Sequence, residues 1–270
     1  MGIILSCVNL KGGVGKTAIA VNFAAYCGAR GMKTLLVDLD PQTNATFSCI
    51  DLDEWEVHAR DNGTVADLLD VRRHTSAEGA GRDVNSVIRA DVFENVDLIP
   101  SHLDLFTIDL DLAPAIARER KLSRALSPVI DAYDMIVCDC PPNLAITTQN
   151  ALALSTHYVV PISPDYLSGI GVGLLLERVQ KLTDDLERHL KHVGIVISRV
   201  GRPAIHREET TAALRQQFGD LVIEHEIKER VVVSKAAAAK KPVYEMGDQV
   251  AAAEFRAVSK ELIERLGVEP

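Results

Sequence analysis

Apolar runs of four to seven residues alternate with longer helical patterns along almost the whole chain. Six runs read as strands, at residues 3–9, 34–38, 96–99, 135–139, 157–162 and 193–198. Each is continuously apolar instead of alternating, the pattern of strands covered on both faces. Helical stretches lie between them, including 16–30, 115–132, 143–154 and 171–190. This alternation predicts an α/β fold: a doubly wound, mostly parallel sheet flanked by helices. Crossovers should be right-handed, and a ligand should sit outside the carboxyl ends of the strands. Residues 51–82 interrupt the pattern. They are polar, hold the only Trp and carry Glu78-Gly79-Ala80-Gly81. They read as a surface excursion, partly helical around 64–71, not as a second domain. Residues 235–241 (KAAAAKK) read as a helix end, because Ala and Lys are strong helix formers. One domain over 1–270 is expected.

Composition narrows the class. Of 270 residues, 47% are hydrophobic and 25% charged, which excludes global disorder. No run of 18 apolar residues is present, so no membrane span is expected. Strand-like residues begin at once after Met1-Gly2, with no basic n-region or cleavage site, so a signal peptide is not expected. The five cysteines, Cys7, Cys27, Cys49, Cys138 and Cys140, are odd in number and sit mostly in apolar runs. They read as reduced, buried thiols of a cytoplasmic protein. A net charge of −9 argues by itself against a nucleic-acid partner. The distribution changes that picture. Residues 1–190 carry 16 Lys and Arg against 26 Asp and Glu, whereas residues 191–241 carry ten against six. Local charge is what a polyanion senses within a Debye length.

The strongest chemical signal is Lys11-Gly12-Gly13-Val14-Gly15-Lys16-Thr17, between the first predicted strand and the first predicted helix. That is the context a phosphate loop requires. Glycines let backbone N–H groups turn toward an anion, and the helix N-terminus adds unpaired amides and a positive dipole end. In this reading Lys16 reaches the outer phosphates and the Thr17 hydroxyl ligates Mg²⁺. The usual first glycine of such loops is replaced by Leu10, and Lys11 is added. A second signal is Asp38-Leu39-Asp40: carboxylates two apart at a strand's carboxyl end face the same side, toward the cleft. Capping of the following turn is the competing reading for Asp38. A third is Asp139, an acid closing the apolar run 135–138 ahead of Pro141-Pro142. Asp51 and Asp53 share the spacing of the second signal without a strand before them, and read as surface charge.

The loop KGGVGKT resembles the deviant Walker A of the ParA/MinD family of P-loop ATPases, and the likeness extends to 37–42, 98–101, 135–142, 150–152 and 160–162. It implies the Rossmann-like P-loop NTPase fold, with ATP and Mg²⁺ as cofactors. Residues 11–18, Lys11 to Ala18, would bind the nucleotide. Lys11 would reach across a nucleotide-sandwich homodimer to the partner's phosphates; a solvated loop cation is the alternative. Asp40 would position the attacking water, and Lys11, Lys16 and Asp40 form the implied catalytic set. Thr17, Asp38 and Asp139 would hold the Mg²⁺ shell. Three features depart from the family pattern: Ala18 in place of a second hydroxyl, no proline near 227–230, and the stretch 198–207. No Asn-Lys-x-Asp motif is present, which favours ATP over GTP.

The resemblance further implies a slow ATPase, stimulated by a ParB-like partner, that binds double-stranded DNA without sequence preference and partitions or positions a cargo. Candidate DNA contacts are Arg199, Arg202, Arg207, Arg215, Lys228, Arg230, Lys235, Lys240 and Lys241, with a solvated face as the competing reading. No N-terminal helix-turn-helix precedes the first strand, so operator binding is not expected. Two alternatives stay open. One is a MinD-like membrane-positioning ATPase, disfavoured because the helical pattern at 249–266 has balanced charge and no basic tail follows it. The other is an iron–sulfur carrier or amide-forming synthase of the same fold, weakened by the C-x-C spacing at Cys138 and Cys140. The expected location is cytoplasmic and nucleoid-associated, without stable membrane association.

Overall fold

The structure, a computed structural model, describes residues 2–70, 82–113, 115–165, 168–201 and 205–268. Seven strands form one sheet: β1 (Ile3–Cys7), β2 (Thr34–Asp38), β3 (Arg89–Phe93), β4 (Val96–Ile99), β5 (Met135–Asp139), β6 (His157–Ile162) and β7 (Lys191–Ile197). Their spatial order is β3-β4-β2-β5-β1-β6-β7, and every pairing is parallel except that of β3 with β4. The helices of eight or more residues are α1 (Lys16–Gly28), α2 (Leu52–Asp61), α3 (Ile146–Leu154), α4 (Ser168–Asp185), α5 (Ile205–Phe218), α6 (Val231–Ala238) and α7 (Gln249–Leu266).

The continuous apolar runs are explained by two cores, one on each face of the sheet. Ile4, Leu35, Val37, Ile136 and Cys138 pack into one, and Leu5, Cys7, Leu36, Met135 and Val137 into the other. Successive strand residues point to opposite faces, so a strand with both faces covered must be apolar throughout. α1 is buried along most of its length and packs with α7, whose Phe255, Val258, Leu262 and Ile263 complete the second core. Gly28 ends α1 where the chain passes closest to the β3–β4 turn. A Cβ there would lie 2.1 Å from the Glu94 carbonyl oxygen and 2.6 Å from a Val96 methyl.

Several expected elements change shape. β3 carries no apolar run; its residues are half-buried or exposed at the sheet edge, with Asp91 at φ 57°, so no strand signal is readable there. The stretch 115–132 is not one helix but a 3₁₀ turn (Arg118–Arg120), a six-residue helix (Lys121–Leu126) and a second turn (Ile130–Ala132). Pro128 has no backbone N–H with which to continue the ladder, and the helix ends at Leu126 with Ser127, still helical in φ and ψ, as its C-cap. Buried Asn150 of α3 then ties the pieces down, accepting from Leu122 N at 3.0 Å and donating to Arg118 O at 2.9 Å. α3 begins at Ile146 and not at 143, while α4 starts earlier and ends at Asp185. Asp51, read as surface charge, is an N-cap: its carboxylate accepts from Glu54 N at 2.8 Å and starts α2, within the segment read as a surface excursion. A short helix, Val65–Leu68, stands where helix was expected around 64–71; Glu78 to Gly81 lie outside the described residues. α7 spans the expected 249–266, capped by Asp248 and closed by Gly267 at φ 71°.

Candidate functional site

The loop between β1 and α1 lies at the carboxyl end of β1, beside the central strand β5, and opens onto a cavity of about 900 Å³. Gly12, Gly15, Lys16, Thr17, Asp40 and Pro142 line it together with Ser198, Arg199, residues 227–231 and part of α6. Gly13 and Gly15 adopt φ 73° and 85°, a left-handed backbone that a side chain disfavours. Gly15 is the N-cap of α1 without a side-chain cap, and the first intrahelical bond runs from Ile19 N to Gly15 O at 3.0 Å. The amides of Lys16, Thr17 and Ala18 therefore have no intrahelical acceptor and face an anion site at a positive dipole end.

The two lysines of the loop diverge. Lys16 is buried and its Nζ donates to Lys11 O at 3.1 Å, folding back over the loop. Burial pulls its ammonium pKa down, and the nearby Asp139 is the largest charge opposing that shift. Lys11 turns the other way: its side chain is 54% exposed and pairs with Asp165, just past β6, which also accepts from the Ser163 hydroxyl at 2.7 Å.

Strand register sets the acidic side of the cleft. Asp38 and Asp139 are paired positions at the carboxyl ends of β2 and β5, and Cys7 at the end of β1 pairs with Asp139. Both carboxylates are fully buried. Asp38 is well satisfied, accepting from Thr46 N (2.8 Å), Thr46 Oγ1 (2.7 Å) and Asp40 N (3.1 Å). Neither oxygen of Asp139 has a hydrogen-bond partner. Burial first, then the charge of Asp38, pushes the Asp139 carboxyl well above the carboxylate range; the Thr17 hydroxyl and Lys16 oppose the rise. An orphaned buried carboxylate beside a second acid is a costly arrangement without a cation. The Thr17 hydroxyl and Asp139 offer hard oxygen donors of the kind that fits Mg²⁺, whereas the oxygens of Asp38, expected to join them, are engaged by Thr46 and the Asp40 amide. Asp40 stands apart from this pair and lines the cavity, its carboxylate accepting from Gln42 N at 2.9 Å.

Thr46 and Ser101 were not singled out as site residues from the sequence. Fully buried Ser101 donates through Oγ to Asp40 O (2.7 Å) and through N to Thr46 Oγ1 (2.9 Å), and its carbonyl accepts from Trp55 Nε1 (3.0 Å). The aspartates and the single tryptophan are thus joined through one serine.

The geometry finds its counterpart in known proteins. Residues 2–192 match the AAA domain family AAA_31. Over 268 residues the chain is 35% identical to the chromosome-partitioning ATPase Soj of Treponema pallidum, covering 99% of each. The chain belongs to the ParA/MinD family of partition ATPases. Within this ParA/MinD family it is also 33% identical to the cell division protein PomZ of Myxococcus xanthus, covering 88% of this chain and 70% of PomZ. Its fold is shared with the cobyrinic acid a,c-diamide synthase of Mycobacterium smegmatis, solved with an ATP analog and magnesium (TM-score 0.79, 24% identity, 98% and 96% of the chains covered). The fold class expected from the sequence, a P-loop NTPase with a mostly parallel sheet, is the one observed.

The basic stretch does not present its nine cations alike. Arg199 donates to Gly13 O and pairs with Glu229, Arg215 pairs with Glu226 and two carbonyls, Arg230 pairs with Glu254, and Lys240 donates to Phe47 O. Among the described residues, Lys228, Lys235 and Lys241 are exposed and make no such bond. Arg202 lies outside the described residues, and Arg207 is described only as a backbone position in α5. Cys138 and Cys140 sit in the apolar interior, the latter's Sγ lying 4.0 Å from Cys138 O, and burial pushes both thiols up.

Proposed function

We propose that this ParA/MinD protein binds ATP with Mg²⁺ in the loop of residues 11–18, dimerises around two nucleotides, and hydrolyses ATP slowly under the control of a ParB-like partner. In the ATP state the dimer holds double-stranded DNA without sequence preference and so partitions a plasmid, a chromosome or another cargo. The observation that carries this reading is the divergence of Lys11 and Lys16. One cation stays within its own cradle; the other is turned away from it, half-exposed and paired with Asp165, a pairing that a second subunit's phosphates would replace.

In this mechanism the chain's residues position and neutralise. Amides of the loop and of the first turn of α1 hold the phosphates, and Lys16 adds charge where the transition state spreads its own. Thr17 and Asp139, with Asp38 as their buried acidic neighbour, would hold Mg²⁺, and the ion would supply further neutralisation of the phosphate charge. Asp40 orients water in line with the outer phosphate. Lys11 from the partner completes the charge, so hydrolysis and the dimer are linked.

DNA contact falls to Lys228, Lys235 and Lys241, whose phosphate contacts make affinity fall with salt and whose number doubles on dimerisation. A membrane-anchored reading is weaker, because the apolar face of α7 is used by the core and not left for lipid. No described helix is long and apolar enough to cross a membrane. The test is binding to a random-sequence duplex with ATP, ADP or no nucleotide across a salt series. ATP-dependent binding that weakens steeply with salt, with a smaller slope in a Lys228→Ala/Lys235→Ala/Lys241→Ala variant, is expected. Binding in no nucleotide state would remove DNA from the reading and leave the ATPase.

A further inference from the structure

Two adjacent residues that follow β7 and line the same cavity grip the phosphate loop from the β7 side. The Ser198 hydroxyl donates to Val14 O and lies 3.2 Å from Ile162 O. The Arg199 guanidinium donates through Nη1 to Gly13 O at 2.7 Å, and through Nη2 to Glu229 at 2.7 Å. Neither contact follows from nearness in sequence, since more than 180 residues separate the partners. Arg199 holds φ 52°, a left-handed backbone that a non-glycine residue adopts at some cost. Fit is close on the loop side as well. A Cβ on Gly15 would lie 3.1 Å from Ser198 Oγ, and one on Gly13 would lie 3.2 Å from Arg199 Nη1.

We infer that Ser198 and Arg199 are positioning residues that preset the phosphate loop for its anion. The reason is peptide geometry. No described peptide bond is cis, and in a trans unit the carbonyl and the following N–H point in opposite directions. Holding the Gly13 carbonyl toward Arg199 turns the Val14 N–H the opposite way, and holding the Val14 carbonyl toward Ser198 does the same for the Gly15 N–H. Two amides of the cradle are therefore aimed before nucleotide arrives. A loop flanked by two left-handed glycines has many other conformations, and ordering it at the moment of binding weakens affinity. Glu229 braces the arginine and comes from the stretch 227–231 that lines the same cavity. In this inference the cation read from sequence as a DNA contact acts instead on the loop backbone.

The inference rests on the reading that this loop binds nucleotide, so the experiment separates the two. Binding of fluorescently labelled ADP and ATP, each with Mg²⁺, is measured for the wild type, Arg199→Ala, Arg199→Lys and Ser198→Ala, with the nucleotide-free thermal midpoint of each. Loss of a charge-assisted hydrogen bond to the loop should weaken ADP and ATP alike by about tenfold in Arg199→Ala. The midpoint and the turnover at saturating ATP should stay near wild type. Arg199→Lys, which retains one donor, should recover part of the affinity. DNA binding by Arg199→Ala at saturating ATP should keep the wild-type salt slope. Unchanged nucleotide affinity in Arg199→Ala and Ser198→Ala, with normal wild-type binding, would overturn the inference alone. So would a salt slope reduced by about one, which marks a lost phosphate contact. A wild type that binds no nucleotide would overturn the site reading and the inference together.

Discussion

Asp139 and Asp38 face one another as register partners on adjacent parallel strands, one with no hydrogen-bond partner and the other with three. The asymmetry divides their work. Asp38 fixes the turn that follows β2 through Thr46 and the Asp40 amide, whereas both oxygens of Asp139 are left without a hydrogen-bond donor. A buried, unpartnered carboxylate costs on the order of 1–3 kcal/mol or more, so the metal-free protein carries a local penalty at this point.

That penalty has a sign in pH. Burial raises the folded-state pKa of Asp139 above its unfolded value of about 3.9. Its contribution to stability is therefore whole below that value and is lost as pH rises through the raised one. Metal-free protein should lose stability as pH climbs from about 4 toward neutrality. Asp139→Asn should remove this contribution and melt higher than wild type at neutral pH in chelator, by roughly 2–4 °C per kcal/mol recovered. The same variant should gain little stability from Mg²⁺ with ATP and lose hydrolysis. Thermal melts across pH, with and without chelator, check the sign; a lower neutral midpoint for Asp139→Asn in chelator would contradict it.

Lys11 and Asp40 should fail in different ways. Lys11→Ala leaves the cradle of its own subunit intact, so ATP should still bind while the ATP-dependent dimer is lost in analytical ultracentrifugation. Asp40→Ala should bind ATP, dimerise and stay dimeric, with turnover lowered at least 100-fold, as expected when a water-positioning group is removed. A dimeric Lys11→Ala, or a hydrolysing Asp40→Ala, would reverse the respective assignment.

Ser101 offers a subtler probe. Its hydroxyl holds the Asp40 carbonyl and its own carbonyl holds the Trp55 indole, so the catalytic turn and the single tryptophan should move together. Trp55 fluorescence should change on adding Mg²⁺ with ATP. Ser101→Ala should reduce that change and lower kcat severalfold with little effect on KM for ATP. A KM effect with kcat preserved would show that the serine serves binding instead.

Gly28→Ala tests the packing of α1 against the β3–β4 turn. With a backbone oxygen 2.1 Å from the new carbon, relief requires the strand to shift, at a cost of about 1–3 kcal/mol or more. Chemical denaturation should show a lower midpoint, while nucleotide affinity at the far end of α1 stays close to wild type.

Much of this architecture was legible in the chain. Apolar runs marked β1, β2, β4, β5, β6 and β7 within two residues at either end, because strands covered on both faces leave no polar positions to blur the signal. The loop of residues 11–17 announced itself through glycines that only a turning backbone requires, and the acids at the ends of β2 and β5 through their place after apolar runs. Where local composition was ambiguous, only the fold decided. β3 exists because β4 offers a free edge, and 115–132 breaks at Pro128 and is held by Asn150 from a distant helix. No spacing could show that Ser101 joins Asp40 to Trp55, that Lys11 pairs with Asp165, or that Arg199 closes on Gly13. Those relationships link residues 46 to 186 positions apart, brought together by crossovers of a parallel sheet. A sequence determines which residues can bury, turn or carry charge; which charges meet is set by register and crossover, and these exist only once the sheet has formed.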